Sequence, residues 1–243
     1  MNPGLYTAFL GMRARQRTLE VQANNIANAS TDGFKAERLA YSTVEADHKS
    51  KSESQKMVAG VLSTSETDFR SGTLRETGGA LDVSIRGDAF FQIQTPRGVR
   101  YTRAGSFTQD AAGQLITKNG DLVVGEKGAI TLPKNSQVVI GSDGVLSSDG
   151  QRIDKLKISR FENPVQALKK DGDSLFAATG IEEPTDAPES SVLQGTLESS
   201  NVSAVTEMVS MINNTREFES LQRSISLMMN DVGRKISTEI GRT

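Results

Sequence analysis

Two helix-periodic segments stand at opposite ends of this 243-residue chain, and the period changes between them. Near the N-terminus Leu5, Met12, Leu19 and Ile26 recur at seven-residue intervals, with Phe9 and Ala23 four residues beyond two of them. Such a repeat predicts an amphipathic helix, here roughly 24 residues and about 36 Å long. It also predicts coiled-coil-like packing on another helix. Pro3 and Gly4 stand where the helix begins, as the first turn permits, and Ser30, Thr31, Asp32 and Gly33 stop it. The helical period returns at Ser203 and lasts to about Ile240, a helix of roughly 38 residues and ~57 Å. One stripe there is Val202, Val205, Val209 and Ile212. A second is Met208, Met211, Phe218, Leu221, Ile225, Met228 and Val232. Two stripes need cover from more than one side.

Between the helices, from about residue 60 to residue 180, short runs alternate or turn apolar: "LDVSI", "AFFQIQ", "GVRYTR", "SFT", "QLIT", "DLVV", "AIT", "QVVI" and "KLKIS". They are separated by "RGD", "PRG", "DAAG", "KNGD", "GEKG" and "GSDG". Strands punctuated by Gly, Asp and Asn turns predict an all-β body over 60–180. Residues 43–59 are polar and charged and read as a linker or loop. Residues 181–194 are acidic, carry Pro184 and Pro188, and read as a second linker. The expected fold is therefore α+β. Long N- and C-terminal helices (1–42 with 195–243) pair in a coiled-coil-like arrangement and flank an all-β centre. Neither helix has a partner nearby in sequence. Pairing them with each other leaves a stripe open, and an open apolar stripe is an association site. A chain so arranged polymerises or docks through its ends.

Composition narrows the chemistry. There is no cysteine and a single histidine, His48, so disulfides and Cys/His zinc sites are excluded. No cofactor or metal is expected. Hydrophobic residues make up 36% of the chain and tryptophan is absent, which is light for a core of this length. No basic run offers nucleic acid a grip, and no 18-residue apolar run predicts a membrane span. Arg13, Arg15 and Arg17 follow the first apolar stretch instead of preceding it, so no cleaved signal peptide is expected.

Several motifs carry a sharp and a plain reading. Asn24, Asn25 and Asn28 sit where the first helix ends. Asn24 and Asn28, four apart, share a face. They either tolerate the left-handed geometry of a helix end or form amide hydrogen bonds that set register between subunits, as a buried Asn does in a coiled coil. Arg86-Gly87-Asp88 resembles an adhesion tripeptide but has ordinary hairpin chemistry. "GSDG" (141–144) and "SSDG" (147–150) lack the spacing and terminal Glu of a calcium loop. His48, in a polar run, has no partner at a recognisable catalytic spacing. The carboxylates sit in no aromatic-rich segment of the kind that lines a sugar cleft. A wall-cleaving hydrolase would need convergent carboxylates in a cleft. An adhesin would need the tripeptide exposed and a signal peptide.

"LYTAFLGMRARQRTLEVQANNIANASTDGFKAER" (5–38) resembles the N-terminal signature of bacterial flagellar rod and hook proteins. Its centre is the Asn-Asn-Ile-Ala-Asn run, followed by a small-residue turn and Gly-Phe-Lys. "GTLESSNVSAVTEMVSMINNTREFESLQRSIS" (195–226) resembles the C-terminal signature of the same family, with Phe218 where the family often has Tyr. Residues 81–125 resemble its shared middle. The absence of a longer insert at 43–58, together with "VVGEKGAITLPKNSQVVIGSDGVLSS", is most similar to the proximal-rod branch, with the distal-rod branch as the near alternative. The resemblance implies a structural, non-catalytic subunit of the basal-body rod, without cofactor, that transmits torque across the periplasm. It implies terminal helices packed into concentric tubes around an export channel. Its implied partners are other rod and hook subunits, copies of itself, and the flagellar export apparatus that passes it unfolded. The residues expected at assembly interfaces are Leu5, Met12, Leu19, Asn24, Asn25, Ile26 and Asn28 on the first helix. On the last they are Val205, Met208, Ile212, Phe218, Leu221 and Ile225. Gly33 and Phe34 form the turn after the first helix.

Overall fold

A computed structural model describes residues 3–47, 56–134 and 136–240. The fold is α+β, with a helix at each end and a β-rich centre. Helix α1 (Pro3–Ala27) is followed by β1 (Glu37–Asp47) and β2 (Lys56–Thr67). Then come β3 (Leu74–Glu76), β4 (Val83–Arg86), β5 (Ala89–Thr95), β6 (Gly98–Thr102), β7 (Phe107–Gln109) and β8 (Leu115–Thr117). The chain continues through β9 (Leu122–Gly125), β10 (Gly128–Ala129), β11 (Val138–Ile140), β12 (Val145–Ser148), β13 (Gln151–Lys155) and β14 (Ile158–Arg160). A one-turn helix α2 (Pro164–Ala167) precedes β15 (Leu168–Lys170), β16 (Leu175–Ala178), β17 (Thr185–Asp186), β18 (Ser191–Gln194) and β19 (Thr196–Glu198). Helix α3 (Ala204–Ile240) follows. The chain divides into two compact units, a terminal one (Met1–Ala27, Glu37–Glu66, Ser203–Thr243) and a central one (Asn28–Ala36, Thr67–Val202).

In the terminal unit α1 packs against α3. β1 pairs with β2 and is tied to α1, because the Tyr41 hydroxyl donates to the Ala14 carbonyl at 2.9 Å and meets the Thr18 hydroxyl. The linker expected over 43–59 is corrected here. Residues 43–47 and 56–59 are strand, and 48–55 lie outside the described residues. A two-stranded ribbon is held by its backbone ladder, so it forms without the apolar alternation that marks a half-buried strand.

The central unit is organised by β5. This strand pairs with β6 along one edge. Its other edge is shared by β14, against Ala89–Phe91, and β9, against Ile93 and Gln94. All these pairings are antiparallel. Successive side chains point to opposite faces, so "AFFQIQT" feeds two cores. Ala89, Phe91 and Ile93 enter the larger one with Phe107, Leu115, Val123, Leu146 and Leu156. Phe90 enters a second with Tyr101, Phe161, Leu168 and Phe176. Phe90, Phe161, Phe176 and Tyr101 meet edge-to-face at 5.0–6.2 Å between ring centroids. Gln92, on the second face, is buried with its amide donating to Ser159 Oγ at 2.7 Å. The sheet extends as β15-β16-β6-β5-β9-β8-β7, while β11, β12 and β13 form a separate three-stranded meander.

The C-terminal boundary also differs from expectation. The segment expected as an acidic linker, 181–194, contains β17 and β18, and β18 pairs with β4. β19 pairs with β3, so residues 195–202 belong to the central unit and not to the helical one. The body is not purely β. In α2, Pro164 opens the turn, and the Glu182 carboxylate accepts the backbone N–H groups of Glu162 and Asn163.

Close packing around β4 gives a direct test. A Cβ on Gly105 would stand 1.7 Å from the Val83 carbonyl oxygen, inside the hydrogen-bonded contact of Val83 N with Gly105 O. Gly120, by contrast, has φ +89° and open space around it. Gly120→Ala should lose only the roughly 1–2 kcal/mol of a left-handed backbone. Gly105→Ala should lose distinctly more than ~2 kcal/mol, because backbone must move. Urea unfolding of both variants, read at the same signal, checks the order.

Candidate assembly surface and the junction of the two signatures

Helix α3 carries two distinct faces. At about 100° per residue, Met211, Asn214, Phe218, Leu221 and Ile225 share one side, and all are half-buried. Asn214 marks what covers them. It accepts from Arg15 at 2.9 Å and donates to Gln22 at 3.0 Å, both on α1, and Arg15 also pairs with Glu217 at 2.6 Å. The opposite side of the first turns of α3 presents Val205 (74% exposed), Met208, Val209 and Ile212, all open. Beyond Ile212 that side becomes charged, with Arg216, Glu219 and Arg223 exposed. The apolar stripe at the start of the helix is thus interrupted by charge, and exposed apolar groups return farther along at Leu227, Met228 and Met229. Met208, read from sequence with the Met211 stripe, belongs to the open one.

On α1, Met12, Leu19 and Ile26 are half-buried, and Val21, Gln22 and Asn25 are buried. Phe9 and Ala23, expected to extend the stripe, are exposed. The Leu5 side chain lies outside the described ones. Of the three asparagines, Asn25 is 1% exposed. Its Nδ2 donates to the Glu37 carbonyl and its Oδ1 accepts the Glu37 N–H, both at 2.9 Å. One amide thus imitates a strand partner and closes the chain over residues 28–36. Asn25, expected among the assembly-interface residues, thus makes both of these amide contacts within the chain. Asn24 is exposed, and Asn28 is half-buried with Oδ1 accepting from Thr31 at 3.3 Å.

The two signatures meet inside the central unit. Gly33 has φ +69°, and a Cβ there would lie 2.2 Å from Ala104 N, so only glycine makes this turn. Its N–H donates to the Glu198 carbonyl at 2.7 Å. Phe34 is buried, with the Lys170 ammonium 4.0 Å from its ring centroid. Lys35 and Glu198 are each 1% exposed and form an ion pair at 2.6 Å. Lys35 also donates to the Arg70 carbonyl at 2.8 Å, and Glu198 accepts the Gly72 N–H at 2.9 Å. Arg103 stands 3.6 Å from the second Glu198 oxygen and donates to the carbonyls of Ile85 and Gly87, with its guanidinium over the Phe90 ring at 5.3 Å. Asn201 completes the junction. Its Oδ1 accepts the Ala36 N–H at 2.7 Å, and its Nδ2 donates to the carbonyls of Asp68 and Arg70 at 2.8 and 3.0 Å.

Burial dominates the electrostatics here. Desolvation pushes the Lys35 ammonium below the usual lysine range, against the pull of Glu198. Burial likewise lowers Arg103, countered by Glu198 and Asp88. Two cations share this interior with one carboxylate, so Lys35 and Arg103 both draw on Glu198 for counter-charge.

The remaining features are plain. Arg86, Gly87 and Asp88 are exposed at the β4–β5 connection, where Gly87 has φ +117°. In "GSDG" the Asp143 carboxylate accepts the Val145 N–H at 3.2 Å, and Gly144 is left-handed, which is turn chemistry. Among the described residues no group of three or more His, Cys, Asp or Glu could hold a metal, and no helix is long and apolar enough to cross a membrane. His48 lies outside the described residues. Sequence reasoning missed roles for Lys35, Arg103, Glu198 and Asn201. They lie within the segments that carry the resemblance, but nothing in their spacing reveals that they converge.

Three family models match along the chain. Residues 5–35 match "Flagella basal body rod protein", residues 84–148 "Flagellar hook protein FlgE/F/G D1 domain", and residues 193–228 "Flagellar basal body rod FlgEFG protein C-terminal". The flagellar basal-body rod protein FlgF of Caulobacter vibrioides is 34% identical, covering 92% of each chain. FlgF of Salmonella typhimurium is 34% identical over 96% of this chain and 97% of its own. FlgG of Bacillus subtilis is 32% identical over 91% and 93%. The junction residues Gly33, Phe34 and Lys35 fall in the first match, Arg103 in the second, and Glu198 and Asn201 in the third. The chain belongs to the flagellar basal-body rod protein family, with FlgF the favoured member and FlgG the alternative.

Proposed function

We propose that the chain is a proximal-rod subunit that polymerises through its terminal helices. The observation that carries this is the open stripe Val205, Met208, Val209 and Ile212, opposite the side of α3 that α1 covers. The half-buried residues Met211, Asn214, Phe218, Leu221 and Ile225 fall at alternating gaps of three and four, the spacing of a coiled-coil seam. A pair of helices that covers one seam and leaves another apolar is suited to a further helix. The partners proposed are copies of this chain and other rod and hook subunits. Exposed Asn24 and half-buried Asn28 are the asparagines proposed to set register there. The assembled tube would be the drive shaft and its bore an export channel, in a basal body that crosses the periplasm. The subunit would reach it through the flagellar export apparatus, and no catalytic step is assigned. The distal-rod reading is supported by FlgG relatives of similar identity and coverage.

Two outcomes test this reading, and a third tests the junction. Ile212→Asp should leave the monomer's unfolding within about 0.5 kcal/mol of the parent, as at other exposed positions. It should also abolish motility when it replaces the parent gene and prevent polymers from sedimenting. Normal rods from this variant would remove the stripe as the interface. Leu19→Asp should fail to assemble as well and, being half-buried, should also loosen the helix pair. At the junction, Lys35→Met should destabilise the central unit by roughly 3 kcal/mol, since it removes the 2.6 Å partner of the buried carboxylate and leaves Arg103 at 3.6 Å as its counter-charge. Combined with Glu198→Gln it should fall short of the sum by about 0.5–3 kcal/mol, measured by urea unfolding of all four proteins.

A further inference from the structure

Residues 191–201 supply what the rest of the central unit lacks. Through β18, Ser191–Gln194 cover the edge of β4, whose Val83 and Ile85 are buried. Through β19, Thr196–Glu198 pair with β3. Val192 and Leu197 are themselves buried. The Gln194 side chain donates to the carbonyls of Ala80 and Val138, at 2.7 and 2.9 Å, and accepts the Ile140 N–H at 3.1 Å. One amide therefore joins the approach to β4 with β11. Glu198 supplies the carboxylate between Lys35 and Arg103, and Asn201 bridges Ala36 to Asp68 and Arg70. These contacts all reach residues far upstream, and nothing within 191–201 satisfies them locally.

We propose that this segment is a closing element: its docking and the folding of the central unit are one event. Without it, two buried cations lose their carboxylate, the β4 edge opens, and several buried backbone groups lose partners. The marginal stability of a domain does not survive all three. A chain emerging from the ribosome would stay unfolded in its central unit until residue 201 is free, although residues 67–180 hold most of the core. The device lies in the order of elements along the chain and holds whether or not the chain polymerises.

Native-state hydrogen exchange on the full-length monomer, followed with increasing urea, decides it. The N–H groups of Val192, Gly195 and Ser199 bond the carbonyls of Ser142, Asp82 and Thr73. They are expected to exchange through the same opening, with the same urea dependence, as Phe91, Ile93 and Tyr101 in the central sheet. Leu197→Ala should lower the protection of both groups by one common factor, roughly thirty-fold or more for truncation of a buried leucine. The proposal is overturned if the 191–201 amides exchange through a smaller opening while β5 and β6 stay protected. It is equally overturned if Leu197→Ala lowers protection in the segment alone.

Discussion

The Lys35–Glu198 contact joins residues 163 positions apart in a site from which water is excluded. Desolvating two charges is unfavourable, and the mutual attraction recovers it only when geometry is good and the remaining hydrogen-bonding positions are filled. Here the Arg70 carbonyl and the Gly72 N–H fill two of them, and the second Glu198 oxygen has Arg103 3.6 Å away as its ion-pair partner. The pair is therefore weak as a source of net stability but strong as a condition. Moving residue 198 strands two buried cations, and moving residue 35 removes the nearer partner of the carboxylate. The central unit can hold its native register or lose much of its stability, with little between. Arg103 sharpens this, because its cation depends on the same carboxylate and on the carbonyls at the β4–β5 connection.

Asparagine is used in the same spirit at two separate places. Asn25 in the terminal unit and Asn201 in the central unit each offer an amide whose donor and acceptor copy a backbone peptide. At both sites the main chain has groups that a regular ladder does not reach, and a buried unpaired N–H is expensive. Aspartate would supply acceptors alone and lose the bonds that these amides donate to the Glu37 and Asp68 carbonyls. This accounts for two amides near the chain's helix boundaries without reference to neighbours. Asn24 and Asn28 are the pair on which an intersubunit role depends.

The periodic parts of the fold were legible. Seven-residue spacing located α1, the helical period located α3, and alternation located β4 through β9 with the turns between them. The losses have physical reasons. β12 and β13 form a hairpin across Asp149 and Gly150, both with positive φ, and its polar residues hide the strand period. β17 and β18 lie in a stretch whose prolines and acids signal a linker, and β19 lies in the segment expected to belong with the last helix. Pairing there is set by β3, β4 and β14, which no local pattern reveals. The junction was invisible for a related cause. Lysine and glutamate in sequence read as surface residues, and only the fold shows the two buried and 2.6 Å apart.

The open stripe on α3 gains meaning from where it stops. Val205, Met208, Val209 and Ile212 occupy the side that becomes Arg216, Glu219 and Arg223 farther along. A helix with an apolar start and a charged continuation on the same side specifies an axial position for whatever covers it. Sliding the partner by two turns would place apolar groups over guanidinium and carboxylate, desolvating charges without compensation. An unbroken apolar stripe would permit many registers of similar energy. In a polymer of identical helices, the boundary after Ile212 therefore acts as a register mark. In the proposed assembly the stripe would supply the attraction for a partner helix, and the charges beyond it would fix where that helix sits.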